Sequence, residues 1–560
     1  MPVRLKRKKD NVNTSSNGIL DVAIIGAGLT GMYALHKLRE EGHAVRVFDR
    51  ADGVGGTWWW NRYPGARVDS PGAPFYCYTF SEDLVAEWEW LETQPDQPAI
   101  LSYLNHVADR FDLRRDIQLA TSITDAAYEE DSGLWVLATS KGEEVRARYL
   151  ISAVGTLSDA YKPAFDGLAS FRGEVYHTGH WPQDHDVDFT GKRVGIIGTG
   201  SSGVQLIPII AESAAALTVF QRTPQYVLPA RNRPLAEELK TLAKENWPEL
   251  RERAVATGRP LPKAQELAVE ASQEERNAVY EQAWLTGGMS LRDCYGDHMS
   301  DPEANELVAE FVRKKIREAI TDPDVAEQLL PYYIFGAKRL ILGTGYYEAF
   351  NRDNVSIVDV KKAPIVCITD SGVETSDGFY ELDVLILATG YDAITGGLTS
   401  LNPRGRDGVR LRDVWSKGVQ SYLGLAVSGF PNMFIMHGPQ TPAVKYPMHL
   451  GAELQGDWIA GIIRHAKNGG FDTVEAQAAM QPAWGKEVAA IADRSLYSKA
   501  ESWYMGSNIP GKPRQFMVHL DGPGYHRRIH EVAESGYEGF EFSKADVAAE
   551  SDAYAAAVLS

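Results

Sequence analysis

Short apolar runs that end on glycine recur along this chain, and two of them are followed by helical spacing. Leu20-Asp-Val-Ala-Ile-Ile25 is a strand-length apolar run that enters Gly26-Ala27-Gly28-Leu-Thr-Gly31. Met32, Leu35 and Leu38 then recur at intervals of three, which predicts a helix. Gly42 ends it, and Ala44-Val-Arg-Val-Phe48 predicts a second strand. The same order returns later. Lys192-Arg-Val-Gly-Ile-Ile197 leads into Gly198-Thr199-Gly200-Ser201-Ser202-Gly203, Val204, Leu206, Ile207 and Ile210 continue as a helix, and Ala216-Leu-Thr-Val-Phe220 closes the unit. Each is a strand–helix–strand unit of the type that builds parallel sheets.

Between 231 and 333 strand signals vanish. Leu235 to Trp284 is rich in Ala, Glu, Leu and Gln, and Asp301-Pro302 offers a cap and first-turn pair ahead of a helix to about Ile320. Strands resume at Val355–Val358, Ile365–Ile368 and Leu382–Gly390, the last resembling Arg148–Gly155; both of these end on glycine where the chain is expected to cross between domains. A long helical pattern spans His449–His465, and a polar, Ala-rich tail is expected to be loosely held.

At about 150 residues per domain, 560 residues predict roughly three to four domains or subdomains. Lys and Arg total 57 and Asp and Glu 75, a net charge of −18, which disfavours nucleic acid and anionic lipid as partners. Cys77, Cys294 and Cys367 stand far apart, so neither a disulfide framework nor a cysteine metal site is expected, and a reducing, cytoplasmic setting is. No apolar stretch reaches the roughly 18 residues of a membrane helix. The basic run Arg4–Lys9 lacks a following apolar core and reads as a solvated tail, with 10–18 as a polar linker. A monomer or weak homo-oligomer is expected.

The first glycine turn lets the backbone approach a pyrophosphate at a helix N-terminus. Asp49, about twenty residues on, is placed to accept from an adenosine ribose. At the corresponding end of the second unit stand Arg222 and Thr223 rather than an acid. An arginine there disfavours a bare ribose and pairs with a 2′-phosphate; the bland reading is a surface arginine. One acid-marked and one base-marked adenosine site are best explained by FAD together with NADPH. Disulfide reductases use the same pair of units but need two close cysteines beside the flavin, which are absent. Reaction of reduced flavin with oxygen remains.

Between the units lies Phe171-Arg-Gly173-Glu-Val-Tyr-His177-Thr-Gly-His180-Trp181-Pro182. It resembles the F-x-G-x-x-x-H-x-x-x-W-P fingerprint of type I Baeyer–Villiger monooxygenases at every fixed position. A metal site of His177, His180 and His185 is the other reading, but no Cys or carboxylate completes it. The resemblance spans nearly the whole chain. Gly53–Asp69, with Gly56, Thr57, Trp58 and Tyr63, resembles the family's second flavin-contacting segment. Arg50, Tyr76, Ile123 and Met448 complete the implied flavin contacts. Lys338-Arg339 resembles the family's Lys-Arg pair. The departures are Ser70–Pro74, Leu340–Gly343 and Gln440-Thr441, of which the first and last are expected to border the substrate pocket.

The resemblance implies an α/β fold with two dinucleotide-binding, Rossmann-like domains and a helical insertion. FAD is assigned to 19–156 and 391–560. NADPH is assigned to 157–230, which contains the fingerprint at 171–182, and to 334–390. The insertion spans 231–333, and a mobile loop lies near 495–515. It implies that NADPH reduces the flavin, that oxygen adds at C4a, and that the resulting peroxide anion attacks a ketone, expected to be cyclic or bulky, to give an ester or lactone. Arg339 is implied to stabilise that anion, Asp69 to position Arg339, and Lys338, Arg222 and Thr223 to hold the 2′-phosphate. Trp503 is implied to contact the nicotinamide side, and His177 to act as a hinge. Lys445 and Tyr446, in the family's variable pocket loop, hint at a substrate with oxygen functions. The rival readings are an N- or S-oxidising flavin monooxygenase and a non-catalytic NADPH sensor.

Overall fold

The computed structural model describes residues 18–544. The basic run, most of the polar linker and the Ala-rich tail expected from the sequence lie outside the described residues.

Two sheets organise the chain, the first mixed and the second wholly parallel. In the first, Leu20–Ile25 pairs with Val45–Phe48 on one side and with Glu144–Ser152 on the other, Leu20 opposite Ala147 and Ile25 opposite Ser152. Ile117–Gln118 extends the first side. The strand Glu144–Ser152 has two partners on its far side. Its first half pairs antiparallel with Leu134–Thr139, which continues to Ile123–Glu129, and its last residues pair parallel with Met433–Ile435. The central strands are apolar on both faces because both are buried. Ile24, Val47, Leu150 and Ile151 are wholly buried. The helix Leu29–Glu40 lies against the long helix Met448–Gly469. Gly456 permits the approach, since a Cβ there would sit 2.8 Å from the Tyr33 ring, and Tyr33 donates to Asp457 at 2.7 Å.

The second sheet runs Val355–Asp359, Ala216–Gln221, Arg193–Ile197, Val384–Leu387 and Glu174–His177, all parallel. The fingerprint segment therefore supplies its edge strand, an element the apolar pattern alone does not announce. Val227–Pro229 pairs with Ile341–Gly343, and between them the chain is helical: Glu237–Glu245, Trp247–Thr257, Gln273–Thr286, Ser290–Asp293, Pro302–Ala319 and Pro323–Leu329. Asp301 caps its helix as its position predicts, accepting from Glu303 N at 2.8 Å and Ala304 N at 2.9 Å.

The run Leu382–Gly390 is a strand only over Val384–Leu387. Its last residues leave the sheet so that the Ala388 carbonyl lies against the second glycine turn. Gln440 and Thr441, expected at the pocket border, are in the core at 1% and 0% exposure. Gln440 accepts from the Ser421 hydroxyl at 2.6 Å and donates through its backbone to Met517 at 2.7 Å. Tyr446 is also buried, donating to the Ala254 carbonyl at 3.0 Å and so fastening the helical segment to the pocket loop. Among the described residues no helix is long and apolar enough to cross a membrane.

Candidate active site

Both glycine turns are dictated by close backbone approach. Gly26 has φ +109°, and a Cβ on it would lie 2.4 Å from the Ala153 carbonyl oxygen; one on Gly31 would meet the Gly26 oxygen at 1.8 Å. Gly198 and Gly203 repeat the arrangement, at 2.5 Å from the Ala388 oxygen and 2.3 Å from the Gly198 oxygen. The middle glycines differ. A Cβ on Gly28 would lie 3.4 Å from the Gly56 Cα, whereas nothing lies within 4 Å of a Cβ on Gly200. That opening stands at the N-terminus of the helix Ser201–Ser213, where Ser201 and Ser202 begin the first turn and unpaired N–H groups face an incoming anion.

Asp49 ends its strand with both carboxylate oxygens engaged by backbone, Oδ2 by Ala27 N at 2.6 Å and Oδ1 by Ala51 N at 2.8 Å. Burial lifts its pKa, while those N–H groups and Arg50 pull the other way. Each oxygen retains a lone pair for a ribose hydroxyl. Arg50 itself donates to the Ser158 carbonyl at 2.6 Å and lies 5.2 Å from the Trp60 ring.

At the second turn, Thr199 donates to the Thr223 carbonyl at 3.1 Å and Arg222 is exposed beyond the strand end. Lys338 stacks 4.7 Å from the Tyr333 ring. Burial lowers its pKa, and the next causes are the like charges of Arg222 and Lys361. Sequence reasoning missed Lys361, which follows the strand Val355–Asp359 and carries no motif. Among the described residues none of the three cations has a carboxylate within 4 Å. An unneutralised cation cluster at this strand end suits a phosphate monoester.

Arg339, the next residue, turns the other way. Its Nε and Nη2 grip Asp69 Oδ2 and Oδ1 at 2.6 and 2.8 Å, and its Nη1 donates to the Val444 carbonyl at 3.3 Å. Burial alone would lower the arginine and raise the aspartate; the opposed charges and the fork outweigh it, so Arg339 is raised and Asp69 lowered. Deep as the pair lies, 35% of the arginine side chain remains open, because it borders a cleft. The Lys338-Arg339 pair thus reaches both nucleotide units, one residue to each.

The segment carrying Asp69 is locked to the second unit. Tyr63 donates to Gln205 Oε1 at 2.8 Å and Gln205 to the Arg67 carbonyl at 3.1 Å. Burial pushes the Tyr63 phenol up to about 12. Thr57 opens the short helix Thr57–Trp60, whose Trp58 donates to the Tyr76 hydroxyl at 2.6 Å. Ile123 begins the meander strand and Met448 the long helix, both half-buried.

In the fingerprint, Phe171 and Trp181 are core residues at 9% and 5% exposure, and Gly173 leaves 2.3 Å between a Cβ and the Asp383 oxygen. His177 Nδ1 accepts from Gly179 N at 3.0 Å, so Nε2 carries the proton and faces the Tyr161 carbonyl and Thr389 hydroxyl, each at 3.2 Å. Burial pushes its pKa down to about 4, so it is neutral near pH 7. It thereby links Tyr161 to Thr389, two segments far apart in the chain, and Pro182 follows Trp181 at the end of the fingerprint. Trp503 is half-buried with its ring 4.1 Å from Tyr504. Its segment is docked, Asn508 donating to the Tyr391 carbonyl at 2.8 Å and Lys512 to that of Ala393 at 3.0 Å. Among the described residues no three metal-ligating side chains converge.

Residues 20–233 match the flavin-binding monooxygenase-like family model. The chain is 43% identical to the Baeyer–Villiger monooxygenase of Pseudooceanicola batsensis, over 94% of this chain and 97% of that protein. The chain belongs to the Baeyer–Villiger monooxygenase family. It is also 40% identical to a phenazine N-monooxygenase of Lysobacter antibioticus, over 93% of this chain and 96% of that one. A solved structure described as OTEMO in complex with FAD and NADP superposes with a TM-score of 0.89 at 40% identity, covering 94% and 99% of the two chains.

Against that family background, the cleft holds residues the sequence reading left out. Tyr504 is fully buried beside Arg339, on whose charge its hydroxyl acts, and that hydroxyl meets no partner at full hydrogen-bond geometry. Arg292, from the helical segment, acts on the charge of Arg339's partner Asp69, and Arg292 and its neighbour Asp293 both act on Lys445. They carry no motif; only tertiary packing brings them here.

Proposed function

We propose that this chain is an FAD- and NADPH-dependent monooxygenase that inserts one atom of dioxygen beside a ketone carbonyl, giving an ester or lactone. The observation that carries the reading is the forked Arg339–Asp69 pair opening on the cleft between the two nucleotide units. The residues present fit both groups: a glycine turn with Asp49 at its strand end for the flavin nucleotide, and an open glycine with the cluster of Arg222, Lys338 and Lys361 for a 2′-phosphorylated dinucleotide. Bound there, the nicotinamide supplies hydride and the flavin supplies the chemistry that activates dioxygen.

Arg339 uses three N–H groups within the protein and keeps two, one on Nη1 and one on Nη2, for an anion in the cleft. Its charge persists across the working pH range, and Asp69 fixes the plane of the fork. A carbonyl carbon is attacked by a nucleophilic oxygen, and a fixed positive charge favours the anionic form over the protonated one. Asp69 stays ionised and so takes no proton from the reacting atoms. Tyr504, buried beside Arg339, and Trp503, packed on its ring, would limit water access to the reacting atoms. The similarity to a phenazine N-monooxygenase keeps one rival reading in play. An electron-rich nitrogen attacks a protonated oxygen donor, which the guanidinium disfavours. Incubation with NADPH, oxygen, cyclic ketones and an aromatic N-heterocycle decides between them. Lactone without N-oxide supports the proposal, and N-oxide without lactone overturns it.

A further inference from the structure

We propose that Lys445, together with the hydroxyls of Tyr497 and Tyr504, forms a carboxylate-binding subsite beside Arg339, so that the ketones this enzyme prefers carry an acid group. The inference rests on the Baeyer–Villiger reading above and names the substrate class for that same cleft.

Lys445 closes the turn Ala443–Lys445 that leads to the long helix, one residue beyond the carbonyl that Arg339 binds. A lysine beside packing residues ordinarily extends its ammonium to solvent. This one points inward: Nζ lies 2.7 Å from the Tyr497 hydroxyl and 4.0 and 4.8 Å from the ring centroids of Tyr497 and Tyr504. Among the described residues it has no carboxylate within 4 Å. Tyr504, buried at 0% exposure, has a hydroxyl that meets no partner at full hydrogen-bond geometry. Lys445 itself is only half-buried, so the cleft reaches it.

The carboxylates nearby are already engaged. Asp69 is forked by Arg339, and Asp293 is shared by Arg292, at 2.7 and 2.9 Å, and Arg259. Three arginines face two aspartates, which leaves one positive charge in excess before Lys445 is counted. Burial, then Arg292 and Arg339, push the Lys445 pKa well below its ordinary value, with Asp69 and Asp293 pulling the other way. An incoming carboxylate removes much of that penalty and favours the charged form of Nζ. Two tyrosine hydroxyls and an ammonium are donors suited to the two oxygens of a carboxylate. The phosphate of the dinucleotide has its own cluster at Arg222, Lys338 and Lys361.

The test uses the FAD-loaded enzyme with NADPH and two ketones, 4-oxocyclohexanecarboxylate and its methyl ester. Wild type is expected to favour the acid in kcat/KM. Lys445→Met should lower the acid-to-ester ratio about 10- to 100-fold, the range of a lost charge-assisted hydrogen bond, and Lys445→Arg should restore most of it. Calorimetry on the oxidised, NADP-loaded enzyme should register acid binding that weakens in Lys445→Met, with no such loss for the ester. An acid-to-ester ratio equal in wild type and Lys445→Met, or equal acid affinity of the two by calorimetry, overturns the proposal. If neither ketone yields a lactone in wild type, the Baeyer–Villiger reading fails instead, and the calorimetry still decides whether the carboxylate binds at Lys445.

Discussion

Replacing Arg339 with Ala removes the two N–H donors that the guanidinium keeps for the cleft, while Nε, Nη2 and one Nη1 hydrogen belong to Asp69 and Val444. A hydrogen bond to a charged group contributes about 1.5–3 kcal/mol, so two correspond to roughly 3–6 kcal/mol of stabilisation for an anion. Loss of a single preorganised donor in comparable sites costs about 10²–10³ in rate. Ester formation is therefore expected to fall at least about 10²–10³-fold in Arg339→Ala. NADPH should still bleach the flavin, because Lys338 and Arg222 remain. The assay is a single turnover in a stopped-flow spectrometer, with ester and hydrogen peroxide quantified per NADPH consumed. Arg339→Ala also strands a buried Asp69, so Arg339→Lys, which keeps a cation opposite Asp69 but loses the fork, is run beside it, and thermal midpoints report whether each variant is folded. Wild-type ester yield per NADPH from folded Arg339→Ala would refute the reasoning.

Charge removal in the 2′-phosphate cluster, by Lys338→Ala or Lys361→Ala, is expected to raise KM for NADPH about 10-fold or more and to leave KM for NADH nearly unchanged; steady-state kinetics with both nucleotides check it. Gly200→Ala, with open space around its Cβ, should melt at the wild-type temperature and yet weaken NADPH, whereas Gly203→Ala, 2.3 Å from the Gly198 oxygen, should lower the melting temperature. Burial lifts Glu453, wholly buried and accepting from Thr79, to about 7. Because its folded pKa lies above the unfolded value of about 4.3, its contribution to stability is full below the latter and is lost as pH rises through about 7. Denaturation of wild type and Glu453→Gln across pH 4–8 should show wild type losing about 3 kcal/mol relative to the variant over that window, and parallel pH profiles would contradict it.

What the sequence discloses here follows from the range of the forces. Glycine turns are legible because backbone contact within a few residues demands glycine, and Asp49 and Arg222 because they sit at a fixed distance from those turns. The helical stretch between 231 and 333 is legible from its caps and composition. The meander Ile123–Thr139 is not, since its half-exposed strands mix polar and apolar residues without strict alternation. Tyr504, Arg292 and Asp293 reach the cleft, and Lys361 the phosphate cluster, from elements far apart in the chain that only tertiary packing brings together. Gln440-Thr441 reads as a polar loop beside a pocket and is instead a satisfied core pair, because Ser421, Met517 and His519 supply hydrogen bonds from elsewhere. The pairing of Arg339 with Asp69 comes from family resemblance; spacing across 270 residues carries no such information.

The central claim is that oxygen from the air enters a carbonyl compound in this cleft. Turnover of a cyclic ketone with NADPH under ¹⁸O₂, followed by mass spectrometry of the extracted product, tests it directly. The account predicts a lactone carrying one ¹⁸O atom, formed by wild type and lost in Arg339→Ala. NADPH consumption that ends only in labelled hydrogen peroxide, with the ketone recovered unchanged, would contradict it.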